Sequence, residues 1–107
     1  MTNIYKNAKV DLTTNSETTI LTADSDVTII IKSILVSEDS GNADTITLTL
    51  TDSASDVFSL FKVKAVGANT TVELLTQPLV LQGSEILKAT AATGGRLHIV
   101  VSYLEIS

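Results

Sequence analysis

Residues 45–51 read Thr45-Ile46-Thr47-Leu48-Thr49-Leu50-Thr51, an alternation that sends Ile46, Leu48 and Leu50 to one side of an extended chain and four threonines to the other. The spacing predicts a half-buried strand with a threonine outer face. The preceding apolar segment, Val27 to Val36, behaves differently. Strict alternation places Val27, Ile29, Ile31 and Leu35 on one face and Ile30, Ile34 and Val36 on the other, so both faces need cover. Such a strand is central in its sheet or covered by a neighbouring subunit. Between the two segments, Ser37-Glu38-Asp39-Ser40-Gly41-Asn42-Ala43-Asp44 is a polar cluster able to reverse the chain, and the pair is read as adjacent antiparallel strands.

Extending outward, the same reading gives strands near Ile4–Leu12, Glu17–Thr22, Val57–Val66, Asn69–Thr76, Glu85–Ala91 and Leu97–Ile106. Turn signals separate the later ones at 52–56, 66–69, 82–84 and 93–95. Pro78, the only proline, precedes Leu79-Val80-Leu81, where a missing N–H suits an edge or a crossing between strands. About eight short strands with no helical window predict an all-β fold. The expected architecture is a single antiparallel β-sandwich of jelly-roll or immunoglobulin-like type, spanning residues 1–107 as one domain. Composition agrees: Thr, Val and Ile make up 36 of 107 residues, and β-branched side chains favour strands.

Charge and residue types narrow the function. Residues 11–56 hold nine of the twelve carboxylates against a single cation, Lys32. With one Arg and four aromatics in the whole chain, a nucleic-acid backbone or a stacked sugar is a poor partner. No cysteine is present, so disulfides and thiolate-held metals are excluded. No run reaches the apolar length of a membrane helix, and the N-terminal residues show no signal peptide, so a protein made and used in the cytoplasm without membrane contact is expected. The sequon Asn69-Thr70-Thr71 is then fortuitous.

Chemistry is sparse. His98 is the only imidazole and lies mid-strand, with no nucleophile-presenting turn beside it. The pairs Asp24/Asp26 and Asp52/Asp56 sit in polar loops, where carboxylates are solvated rather than tuned as acid and base. Asp24-Ser25-Asp26, and Glu38-Asp39 with Asn42 and Asp44, offer oxygen ligands but match no calcium-loop pattern. No enzyme, no cofactor and no metal is therefore expected. In the last strand Leu97, Ile99, Val101 and Tyr103 share one face, while His98, Val100, Ser102, Leu104 and Ile106 share the other. Two strands with apolar groups on both sides exceed what one small core can cover, so Ile30, Ile34, Val36, Val100, Leu104 and Ile106 are expected at subunit or shell contacts.

Several stretches carry a resemblance. The run Ile31-Lys32-Ser33-Ile34-Leu35-Val36-Ser37, the segment Gly41-Asn42-Ala43-Asp44-Thr45-Ile46-Thr47-Leu48, the segment Leu79-Val80-Leu81-Gln82-Gly83-Ser84-Glu85-Ile86-Leu87-Lys88 and the ending Val100-Val101-Ser102-Tyr103-Leu104-Glu105-Ile106 look like small virion structural proteins of tailed bacteriophages, of cyanophage or marine phage type. The turn at Gly83 is one residue longer than in that pattern. The resemblance implies a capsid cement or decoration protein on the outer capsid surface of the virion. Its partners would be the major capsid protein and copies of itself, in a homotrimer. A tail, adaptor or fibre-associated virion protein and a host-surface glycan-binding module are the alternatives.

Overall fold

The computed structural model describes residues 2–107. Nine strands follow in order: β1 (Asn3–Leu12), β2 (Thr18–Thr22), β3 (Thr28–Glu38), β4 (Asp44–Thr51), β5 (Val57–Val66), β6 (Thr71–Glu73), β7 (Leu79–Leu81), β8 (Ile86–Ala91) and β9 (Leu97–Ile106). Among the described residues there is no helix. One sheet has the order β1-β9-β3-β6, with β7 also paired to β3, and the other has the order β2-β8-β4-β5. Every pairing is antiparallel. The first strand lies beside the last, and consecutive strands change sheet at every step except β4 to β5 and β6 to β7. That is the order of a jelly roll, and it sets aside the immunoglobulin-like arrangement.

β3 and β4 are therefore not neighbours, contrary to the hairpin read from the polar loop between them. They belong to opposite sheets and meet only through the core. The physical reason is that each strand has a face of large aliphatics, and these faces bury most surface when packed against each other rather than side by side. The ninth strand is β7, three residues on the sheet edge directly after Pro78. Its missing N–H costs nothing there.

The core lies between the sheets. Ile29, Ile31, Ile34 and Val36 of β3 and Leu97, Ile99 and Val101 of β9 come from one side. They meet Ile46 and Leu48 of β4 and Leu87, Ala89 and Ala91 of β8 from the other. This set requires a change of phase within β3. Ile31 pairs with Tyr103 but Ser33 pairs with Ser102, so Lys32 is an extra residue and the strand bulges. After the bulge every side chain changes face, which turns Ile34 and Val36 inward with Ile29 and Ile31 and leaves Leu35 outside. The sequence-based placement of Ile34 and Val36 on the outer, contact-forming face is corrected by this bulge. Leu35, assigned to the core face, is likewise reversed.

The loops at one end are pinned by close backbone contact. A Cβ at Gly83 would lie 2.3 Å from the Ser25 carbonyl oxygen, so only glycine lets the turn between β7 and β8 rest on the turn between β2 and β3.

Candidate functional site: the outer face of the five-stranded sheet

Ladder partners in antiparallel strands point to the same side, so the register defines the outer surface row by row. Tyr5 of β1 stands opposite Leu104 of β9, which stands opposite Ile30 of β3, which stands opposite Val80 of β7. This is an apolar row across four strands. A second row runs Lys9, Val100, Leu35, Glu73, with its charges at the two sheet edges and its aliphatics at the centre. Between them lies a polar row of Asn7, Ser102 and Ser33, and beside Asn7 and Ser102 a shallow depression also reaches Lys32. Ile106 extends the apolar surface at one end, and Asp11, His98 and Ser37 close the other.

Of the six contact residues expected from the sequence, Ile30, Val100, Leu104 and Ile106 occupy this surface and are half-buried by their neighbours. Tyr5, Leu35 and Val80 belong to the same surface, at 74%, 39% and 45% exposure, and sequence reading missed them. Tyr5 and Val80 sit in segments whose own periodicity is weak; only the ladder register brings them beside Leu104 and Ile30.

The titratable groups are built into the scaffold. Glu38 is buried at the end of β3, where its carboxylate accepts hydrogen bonds from the Ser40 hydroxyl and from the backbone N–H groups of Ser40, Gly41, Asn42 and Asn69. The Ser40 hydroxyl foremost, with the N–H groups of Asn69, Ser40 and Gly41, lowers its pKa from the ordinary 4.5 to about 2, against the opposing effect of burial. It ties the β3–β4 crossing to the loop before β6. Gly41 at φ +83° and Asn69 at φ +55° adopt left-handed backbone conformations around it. Glu73 accepts from the Ser33 hydroxyl and from the N–H groups of Ile34 and Leu75. Burial pushes its pKa up, but these bonds prevail and hold the carboxyl below its ordinary value. Asp52 accepts from the N–H groups of Ala54 and Asp56 at 2.9 Å each and so shapes its own turn.

His98 lies 3.4 Å from Asp11 and 3.7 Å from Asp39, all three side chains substantially solvated. Among the described residues no three His, Asp or Glu side chains gather to hold a metal ion. Lys6 pairs with Glu105 at 2.6 Å, which raises the lysine pKa.

No protein-family model matches the chain, and no curated protein does. Among solved structures, two align at low similarity. The N-terminal modules of Clostridium thermocellum endo-1,4-beta-D-xylanase 10B, complexed with xylohexaose, align over 96% of this chain and 24% of that one, at 10% identity and a TM-score of 0.40. Infectious bursal disease virus, Gt strain, aligns over 98% of this chain and 30% of that one, at 9% identity and a TM-score of 0.39. The chain thus spans less than a third of either protein it aligns with.

Proposed function

We propose that the protein is a structural component of a phage virion, a capsid decoration or cement protein that acts by association in many copies. The observation that supports this most is the outer face of the five-stranded sheet. It gathers Tyr5, Ile30, Val80, Leu104 and Ile106 on one side of the polar row of Asn7, Ser102 and Ser33, and Val100 and Leu35 on the other, and exposed apolar groups gathered in this way mark interaction sites on small domains. The resemblance of residues 31–37, 41–48, 79–88 and 100–106 to phage virion proteins supplies the setting. The charged groups support the same reading, since Glu38 and Asp52 are engaged in holding loops and strand ends. Each aliphatic side chain buried on association contributes roughly 1.5–3 kcal/mol, so a few contacts repeated over a lattice stiffen a shell. Quantitative mass spectrometry of purified particles tests the proposal. A copy number comparable with that of the shell subunit, together with lower heat resistance of particles stripped of the protein, is the expected result. A copy number matching a single ring at one vertex would replace it with the tail or adaptor reading.

A further inference from the structure

We infer that the outer face of the five-stranded sheet pairs with the same face of a second copy of this chain, about a twofold axis that runs along the strands between β9 and β3. The dimer concerns the chain in solution, uses the same face as the capsid reading and replaces the homotrimer that the resemblance implies; its absence from particles would leave it intact.

The warrant is the row pattern. Rotation about such an axis keeps each row at its own height and exchanges its two ends, so the β1 edge of one copy lies over the β6–β7 edge of the other. In the first row Tyr5 then meets Val80 of the second copy, and Leu104 meets its Ile30. In the second row Val100 meets Leu35, and Lys9 at one edge meets Glu73 at the other. The polar row places Ser102 over Ser33, with Asn7 toward the β1 edge and Lys32, the bulged residue of β3, beside Ser102 near the axis. Apolar side chains face apolar ones, polar face polar, and the two edge charges are of opposite sign, each made twice by the symmetry. This is the self-complementarity an isologous contact demands. The other sheet offers less of it. Its outer face is lined by Thr45, Thr47, Thr49, Thr90 and Lys88, with Ile86, Thr51 and Val57 as one apolar end row, and edge strand β5, although it exposes Val57, Phe58 and Val63, is broken by two register shifts and carries Lys62 and Lys64, features that discourage edge pairing.

Because the chain has no cysteine, single replacements report position directly. Leu35→Cys, close to the axis, should be captured as a covalent dimer by a short bismaleimide linker. Thr47→Cys, on the opposite side of the sandwich, should stay monomeric under the same treatment. Sedimentation of the unmodified chain over a micromolar to submillimolar series should show two copies of 11.3 kDa. Lys9→Glu, which alters an exposed side chain with no ion-pair or hydrogen-bond partner among the described residues, should weaken the dimer roughly tenfold through its two symmetric contacts, and added salt should narrow that difference. A β-type far-ultraviolet spectrum for each variant establishes that it is folded. A monomer at every concentration, a trimer, linking through Thr47→Cys, or a Lys9→Glu variant that associates as tightly as the parent would each overturn the inference.

Discussion

The two sheets of this sandwich have outer faces of opposite character. On the four-stranded sheet, Thr45, Thr47, Thr49 and Thr51 of β4 are flanked by Thr90, Lys88 and Ile86 of β8 and by Ala65, Ser59 and Val57 of β5, so the face is mostly threonine with an apolar end row. On the five-stranded sheet the equivalent positions are Tyr5, Leu104, Ile30 and Val80, then the polar row Asn7, Ser102 and Ser33, then Val100 and Leu35. Both faces have the same inner partners and the same β propensity, since threonine and isoleucine are both β-branched. What differs is the cost of leaving them in water. A threonine hydroxyl keeps a hydrogen-bonding partner when exposed, whereas a row of aliphatics gains free energy only when covered. One sandwich therefore has a face suited to solvent and a face suited to a protein surface.

The largest expected effect breaks the inner face against the outer one within a single dipeptide. Ile34 is fully buried and Leu35 is not. Ile34→Ala should cost about 2–5 kcal/mol of stability, the range for truncating a buried aliphatic, while Leu35→Ala should cost the isolated subunit less than about 1 kcal/mol. Denaturant titration at a concentration low enough to dissociate any oligomer measures both. The reverse order, with Leu35→Ala the costlier, would mean that the bulge at Lys32 is absent and that strict alternation holds.

The second effect concerns the crossing between the sheets. Glu38 is held near pKa 2 in the folded chain and near 4.5 when unfolded, so it binds fewer protons folded than unfolded. Its contribution is fully present above about 4.5 and is lost as the pH falls toward 2. Thermal melts between pH 7 and 2 should show a decline that sets in below about 4.5, and Glu38→Gln should lower the melting temperature at pH 7 and flatten the acid limb. An unchanged acid limb in that variant would remove Glu38 from its structural role.

A smaller effect sharpens the contrast from the threonine side. The hydroxyl of Thr49 is buried without a hydrogen-bond partner. Thr49→Val, which keeps the shape and deletes that group, should raise stability by up to about 1 kcal/mol and leave association untouched. If it strengthens association instead, the threonine face and not the aliphatic one forms the contact. A loss of stability would point to an ordered water on the hydroxyl.

Most of the fold was readable in the chain because period-2 patterning survives wherever a strand is regular. The threonine ladder of β4 and the alternation in β9 put each residue on its observed face. The reading failed where the period is interrupted. The one-residue bulge at Lys32 leaves only a faint mark, the two successive polar residues Lys32 and Ser33 between Ile31 and Ile34, which strict alternation passes over. It reversed Ile34, Leu35 and Val36. The polar loop 37–44 looked like a hairpin because Gly41 and Asn42 suit a turn; its actual geometry depends on Glu38 reaching the N–H of Asn69, a partner 31 residues away that no local pattern reveals. The candidate face was half legible for the same reason. Ile30, Val100, Leu104 and Ile106 follow from their own strands, whereas Tyr5 and Val80 join them only through register between strands distant in sequence.

The central claim is that the aliphatic outer face is the surface by which this protein associates, and a charge placed at its centre tests that claim most directly. Light scattering after size exclusion of the parent and of Ile30→Asp, each checked for a β-type spectrum and a cooperative melt, decides it. The expected result is an oligomer for the parent and a folded monomer of 11.3 kDa for Ile30→Asp. A folded Ile30→Asp variant that elutes and scatters as the parent does would contradict it.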